Sequence, residues 1–179
     1  MKKILILLCC LLAPALMAQE HVCGPSGCSA SSSVSDDNGY VRRAVDPEVY
    51  EALLVVNGLR SNSNMTTSQA EKILKGTIVV EAGFPACSPC GKMIKAIEEA
   101  GLLSKWEQKN IRFYQLNSTE DEKKKNSPNL INWMKRVART YSVPLLFVIK
   151  DGKVVAIRKG YNSEEKDSFL QKLEKVTLQ

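Results

Sequence analysis

The chain has 179 residues, of which 44% are hydrophobic and 25% are charged, and its formal net charge is +6. These values suit a globular domain with some additional chain, and they exclude a collagen-like repeat, a coiled coil and a wholly disordered protein. The lysines and arginines form no dense stripe with interleaved aromatic residues, so we expect no nucleic-acid partner.

Residues 1–18 have the pattern of a secretory signal peptide. Lys2 and Lys3 precede the continuously apolar residues 4–12, and small residues follow up to Ala18, near which cleavage is expected. The apolar stretch is short beside the roughly 20 residues that a membrane span requires, so a retained anchor is the alternative interpretation. Export would place the mature chain in the periplasm or outside the cell, where disulfides persist.

Residues 19–45 are rich in serine and glycine and have no apolar periodicity, which predicts a flexible lead-in. This segment contains Cys23 and Cys28 in the short sequence CGPSGC. A local disulfide between the two cysteines is one interpretation. The other is a second redox pair that exchanges with a cysteine further along, because closing a flexible loop between distant cysteines requires little free energy.

Residues 46–76 are predicted to form a helical N-terminal extension of the folded domain. Asp46 directly precedes Pro47, an order that favours a helix capped by the Asp46 carboxylate, with the proline in its first turn. Thr66 and Gln69 have the spacing of a capping box, which predicts a second, short helix after them.

The core of the domain, residues 77–177, combines strand and helix patterns. Short apolar runs rich in β-branched residues are predicted to be strands at residues 77–83, 111–116, 145–149 and 153–158. Asp151 and Gly152 form a hairpin signal between the last two strands. Helices are predicted between the first three strands and after the fourth. The domain of residues 46–179 is therefore of the α/β class, with a mixed sheet of about four strands flanked by helices.

The motif Cys-Ser-Pro-Cys, with Cys87 and Cys90 at its ends, follows the first core strand and opens a helix. Such a pair suits a redox disulfide, a structural disulfide or part of a zinc site. Free N–H groups and the helix dipole stabilise a thiolate at the start of a helix, which favours Cys87 as the relatively exposed nucleophile. Cys90, on the inner side of the same helix, is then expected to resolve the mixed disulfide.

The chain resembles the thioredoxin superfamily over roughly residues 70–177. The Cys-x-Pro-Cys motif between a buried strand and a helix carries the resemblance, together with Val143-Pro144 before the third strand and Gly160 after the fourth. The resemblance implies a thioredoxin-like fold, a cis bond at Pro144 and a substrate groove beside Val143, Pro144 and Gly160. Without that context a trans bond is the default for an X–Pro peptide. Ala86 stands where thioredoxins have a tryptophan, so a thioredoxin reductase is not the expected partner.

Glu81 interrupts the otherwise apolar first core strand, six residues before Cys87. In proteins of the thioredoxin superfamily, an acidic residue at this offset lies beneath the cysteine pair and assists proton transfer with the resolving cysteine. The resemblance therefore implies this role for Glu81, and burial would raise the pKa of its carboxyl group towards neutrality. The alternative is a strand end at which Glu81 faces water.

The resemblance implies an exported thiol-disulfide oxidoreductase, a monomer that exchanges disulfides with protein thiols or disulfides. The disulfide Cys87–Cys90 would carry the two electrons, so no bound cofactor and no metal are expected. The Cys-x-Pro-Cys form resembles reducing members of the superfamily more than strong oxidants, which favours a reductase. A membrane electron donor or acceptor is a further expected partner.

Two other classes of protein remain open. A binding module with the same fold would keep Cys87–Cys90 as a structural disulfide, although so small a ring constrains little of the unfolded chain. A zinc site would need further ligands, for which Cys23, Cys28 and His21 are the candidates.

Overall fold

The apolar runs of the core form the strands of one sheet, and their observed ends differ from the predicted ones by at most one residue. The computed structural model describes residues 34–35, 41–42, 44–84, 86–117 and 128–179. The strands are β1 Val34–Ser35, β2 Val41–Arg42, β3 Thr77–Gly83, β4 Arg112–Asn117, β5 Leu145–Lys150 and β6 Lys153–Lys159. The helices are α1 Pro47–Val56, α2 Thr67–Ile73, α3 Ser88–Glu99, α4 Leu102–Gln108, α5 Pro128–Ala138 and α6 Lys166–Leu178.

The main sheet has the strand order β4-β3-β5-β6. Strand β3 runs parallel to β4 and antiparallel to β5, and β5 and β6 form an antiparallel hairpin. Asp151 and Gly152 make the hairpin turn with φ angles of 48° and 78°, a left-handed conformation that these two residue types tolerate best. The predicted mixed sheet of four strands with flanking helices is confirmed.

The central strand β3 is buried on both faces, as its continuous apolar run predicts. Ile78, Val80 and Ala82 pack on one face of the sheet in a cluster with residues of α1, α2 and α5. Val79 points to the opposite face and packs with residues of α3, α4 and α6. Because side chains alternate along a strand, Glu81 and Gly83 share the face of Val79. The carboxylate of Glu81 therefore lies on the side of the sheet that α3 covers.

The N-terminal part of the chain is described only in short pieces. Strands β1 and β2 form a two-stranded antiparallel ribbon within residues 19–45, which the prediction of a flexible lead-in did not include. The predicted signal peptide of residues 1–18 lies outside the described residues. No helix in the described ranges is long and apolar enough to cross a membrane.

The capping predictions have different outcomes. The capping box of Thr66 and Gln69 is confirmed at the start of α2. The predicted cap of α1 is wrong, because Asp46 lies at the N-cap position without a side-chain hydrogen bond to the helix. Its carboxylate instead accepts a hydrogen bond of 2.6 Å from the Tyr114 hydroxyl on β4. A charged acceptor thus ties the start of α1 to the sheet.

Candidate active site

Strand β3 leads the chain directly to the cysteine motif. After the strand, the Cys87 N–H donates to the carbonyl of Phe84 over 3.0 Å, and this turn brings Cys87 to the N-cap position of α3. The Cys87 sulfur accepts a hydrogen bond of 3.3 Å from the backbone N–H of Cys90. An N–H group at a helix start therefore points at the sulfur that is predicted to attack substrate, where it favours the thiolate.

Cys87 and Cys90 form a disulfide whose Cα atoms are 5.2 Å apart. Cys87 is 7% exposed and Cys90 is fully buried at 0%. The sequence predicted a relatively exposed Cys87, whereas the structure buries most of it. Phe84, Val143 and Tyr161 pack against the cluster that contains both cysteines. The difference between the two cysteines nevertheless leaves Cys87 as the more accessible sulfur for an incoming substrate.

Glu81 is fully buried, with 0% of its surface exposed. Its neighbours across the sheet are Gln115 on β4 and Leu146 on β5. The alternative of a strand end facing water is therefore wrong for this residue. Burial removes a carboxylate from water, which disfavours its charged form.

The Glu81 carboxylate and the Cys90 sulfur both lie close to Gly83. A Cβ atom at Gly83 would lie 2.3 Å from Oε1 of Glu81 and 2.9 Å from Sγ of Cys90. Since both atoms lie so close to one point, they are at most about 5 Å apart, which is within the span of one bridging water molecule. Sequence reasoning missed Gly83, although a glycine two residues after a buried carboxylate shares its face of the strand.

Gln115 and Asn117 are further buried polar residues that sequence reasoning missed. In the parallel register, Gln115 lies beside Glu81 and Asn117 lies beside Gly83. Three of the four buried polar side chains in the described part of the chain, Glu81, Gln115 and Asn117, belong to these two strands. The alternation of polar and apolar residues in YQLN was the available signal, because it places both polar side chains on one face.

The loop before β5 carries the predicted substrate residues. The bond between Val143 and Pro144 is cis, the isomer that the resemblance implies. The Gly160 N–H donates to the Pro144 carbonyl oxygen over 2.8 Å, so these two residues are neighbours in the fold. Val143 is half-buried and packs against the cluster of Cys87 and Cys90. The structure therefore brings the predicted site residues of the core to one region.

Cys23 and Cys28, the possible second disulfide, lie outside the described residues, as does His21. Within residues 44–84, 86–117 and 128–179, no group of three or more His, Cys, Asp or Glu side chains could hold a metal ion.

The fold and the site define a class of protein. The strand order is β4-β3-β5-β6, helices cover both faces of the sheet, and the Cys-x-x-Cys motif opens the helix after β3. This architecture is a thioredoxin-like fold. No family model matches the chain, and no curated protein matches it.

Two solved thioredoxins are similar in structure. A thioredoxin from Fasciola hepatica has 21% identity and a TM-score of 0.39, with 59% of this chain and 92% of the other covered. The oxidised thioredoxin from Plasmodium falciparum has 21% identity and a TM-score of 0.41, with 62% and 91% covered. The fold class rests on the strand order and the motif positions rather than on these likenesses.

Proposed function

We propose that the protein is an exported thiol-disulfide oxidoreductase that exchanges disulfides with protein substrates. One observation carries the proposal: the Glu81 carboxylate and the Cys90 sulfur both lie beside Gly83, next to a disulfide whose other cysteine, Cys87, caps α3. A disulfide that stays closed transfers no proton, so a buried carboxylate beside its sulfur would not assist it. A resolving cysteine requires a proton acceptor, because its thiol must lose a proton before it attacks.

In the reducing direction, the Cys87 thiolate attacks one sulfur of a substrate disulfide. A bond forms between Cys87 and that sulfur, the substrate S–S bond breaks, and the second substrate sulfur leaves as a thiolate that water protonates. Glu81 then accepts the proton of the Cys90 thiol, and the Cys90 thiolate attacks the Cys87 sulfur. The Cys87–Cys90 disulfide forms and the first substrate sulfur leaves. The substrate gains two electrons, and a dithiol donor must return them to the enzyme.

The cis-proline loop supports the binding of an extended peptide. Pro144 is buried, whereas Val143 is half-buried beside the cysteine cluster, and Gly160 borders the loop from β6. We infer that the backbone of Val143 pairs with the substrate chain next to Cys87, as the resemblance to the superfamily implies. The substrates are protein thiols or disulfides, and neither a bound cofactor nor nucleic acid takes part.

Export and direction are further parts of the proposal. The basic, apolar and small-residue pattern of residues 1–18 supports secretion, and the Cys-Ser-Pro-Cys sequence favours a reductase. A reductase in an oxidising compartment needs a continuous supply of electrons, for which a membrane electron donor is the expected partner. N-terminal sequencing of the secreted protein is expected to find Gln19 as the first residue. A chain that still begins at Met1 would indicate a retained anchor.

Reduction of insulin disulfides tests the activity. The wild-type protein with a dithiol donor is expected to reduce insulin, whereas Cys87→Ser is expected to be inactive. Cys90→Ser is expected to accumulate mixed disulfides with substrate proteins, because Cys87 still attacks and nothing resolves the adduct. A redox-inactive binding module would show neither insulin reduction, dithiol oxidation nor adducts. An adduct between Cys87 and Cys23 or Cys28 in the Cys90→Ser chain would indicate a second redox pair.

A further inference from the structure

Gly83 occupies the last position of β3, between the buried carboxylate and the cysteine motif. A Cβ atom there would lie 2.3 Å from Glu81 Oε1, 2.9 Å from Cys90 Sγ and 3.1 Å from Cys90 Cβ. Nonbonded heavy atoms are most stable about 3.5–4.0 Å apart, so these separations are repulsive. The space that a side chain at Gly83 would take is already filled by Glu81 and Cys90.

The backbone does not require glycine at this position. Five glycines in the described part of the chain have φ between 63° and 88°, where a side chain is strained, and Gly83 is not one of them. Gly83 continues the ladder of β3 and pairs in register with Asn117 of β4. Any residue can adopt an extended conformation, so the reason for glycine here is space and not backbone freedom.

We propose that Gly83 is a positioning residue of the redox site: its missing side chain leaves the gap through which the Glu81 carboxylate reaches the sulfur of Cys90. The inference rests on the proposed function, because the gap matters only if a proton moves between the two groups. In the reducing direction the Cys90 thiol gives its proton to Glu81, directly or through one water molecule. In the reverse direction Glu81 returns it to the Cys90 sulfur as the disulfide opens.

Glu81 and Cys90 are the titratable side chains that a Cβ atom at Gly83 would meet. The cross-strand neighbours of Glu81 are Gln115 and Leu146, which carry no charge. Helix α3 contributes Cys90 and begins after Cys87 at its N-cap position. The charged residues of α3 are exposed to solvent: Lys92, Lys95, Glu98 and Glu99. A methyl group at Gly83 would displace the Glu81 carboxylate, because that carboxylate is the far end of a flexible side chain whereas Cys90 is held in a helix.

The test uses a small aromatic disulfide, 5,5′-dithiobis(2-nitrobenzoate), as the substrate. With it, the attack by Cys87 and the resolution by Cys90 can be measured separately. The reduced protein releases one coloured thiolate when Cys87 attacks and a second when Cys90 resolves the adduct. Gly83→Ala is expected to slow the second release by about tenfold or more, as loss of a general base would, and to leave the first within about twofold of wild type. The pH dependence of the second release is expected to match that of Glu81→Gln.

A double variant and a matched control sharpen the test. Gly83→Ala combined with Glu81→Gln is expected to resolve no more slowly than Glu81→Gln alone, because both changes remove the same proton acceptor. Gly91→Ala makes the same chemical change beside Cys90, where a Cβ atom would meet nothing within 4 Å, and is expected to behave as wild type. Additive effects of the first two changes, or a wild-type second release in Gly83→Ala, would overturn the proposal.

If Gly83→Ala folds too poorly for kinetic measurements, its thermal stability tests the proposal instead. Glu81→Ala removes the oxygen at 2.3 Å, so the double variant Glu81→Ala/Gly83→Ala is expected to unfold at a higher temperature than Gly83→Ala. Equal or lower stability of the double variant would contradict the assigned conflict. Failure of the proposed function looks different, since the wild-type protein itself would then reduce no insulin and Cys90→Ser would form no adducts with substrate proteins.

Discussion

Gly160 and Pro144 are joined by a backbone hydrogen bond of 2.8 Å, in which the Gly160 N–H donates to the Pro144 carbonyl oxygen. The bond connects the end of β6 to the loop that carries the cis-proline. Gly160 has a φ of 65°, in the left-handed region that favours glycine. The geometry of the proposed substrate loop therefore depends on a glycine sixteen residues further along the chain.

Gly160→Ala is expected to weaken the binding of protein substrates. A Cβ atom there meets nothing within 4 Å, so the change adds backbone strain alone, about 1 kcal/mol of lost stability. If the backbone turns to relieve the strain, the bond to Pro144 lengthens and the loop shifts. We expect a several-fold higher KM for insulin with little change in kcat, measured by steady-state reduction.

Gly58→Ala is the matched control for the substitution at Gly160. Gly58 has a φ of 63° and equally open surroundings, but it lies after α1. It is expected to lose about the same stability as Gly160→Ala, about 1 kcal/mol, and to keep the wild-type KM. Equal KM values in both variants would show that the Gly160–Pro144 hydrogen bond does not affect substrate binding.

Glu81→Gln is expected to slow insulin reduction by about tenfold or more without unfolding the protein. The amide fills the same buried space but accepts no proton from Cys90, and it avoids the desolvation of a buried charge. The rate of reduction as a function of pH is the measurement, with circular dichroism to check the fold. Glu71→Gln, on the exposed face of α2, is expected to reduce insulin at the wild-type rate. Unchanged rates of Glu81→Gln across pH would exclude the proton relay.

Tyr114→Phe is expected to lower the free energy of unfolding by about 1–2 kcal/mol while leaving disulfide exchange unchanged. The substitution removes the hydroxyl that donates to Asp46 over 2.6 Å and ties α1 to the sheet. Urea unfolding at neutral pH measures the loss. Tyr141→Phe is the control, because Tyr141 is 88% exposed.

The same pair gives a prediction for alkaline pH. Burial, and then the hydrogen bond and charge of Asp46, raise the pKa of the Tyr114 hydroxyl above its ordinary value. Because the folded chain holds this proton more tightly than the unfolded chain, stability is expected to fall as pH rises above about 10, the pKa of an unperturbed tyrosine. Tyr114→Phe is expected to show less of this alkaline loss. An identical loss in both proteins would assign it to other groups.

Thr177→Val is expected to destabilise the protein by about 1–3 kcal/mol. The buried indole N–H of Trp106 donates to the Thr177 hydroxyl over 2.9 Å, and valine would leave that donor without its partner. Thr177 in turn donates to the Leu173 carbonyl over 2.8 Å within α6. Thermal unfolding measures the change. Thr77→Val, at the start of β3, is the control and is expected to cause no comparable loss, because valine suits a strand.

Local patterns allowed much of the fold to be predicted. The run TIVVEAG predicted β3 with its observed bounds, because a continuous β-branched stretch bounded by glycines is typical of a buried strand. The capping box at Thr66 needed only residues three apart. The partner of Asp46 could not be predicted in this way, since Tyr114 is 68 residues distant in the sequence. A carboxylate before a proline has the same local pattern whether it caps its own helix or binds a side chain from another element.

The sequence by itself determined the α/β class and the placement of Cys87 and Cys90 between a strand and a helix. These properties depend on residues adjacent in the chain, whose spacing and backbone preferences can be read directly. Only the tertiary structure decided the burial of Glu81, the register of Gln115 beside it and the reason for glycine at position 83. Each of these depends on how α3 packs on β3 and how β4 aligns with β3. Contacts between such segments arise from packing, which neighbouring residues alone do not encode.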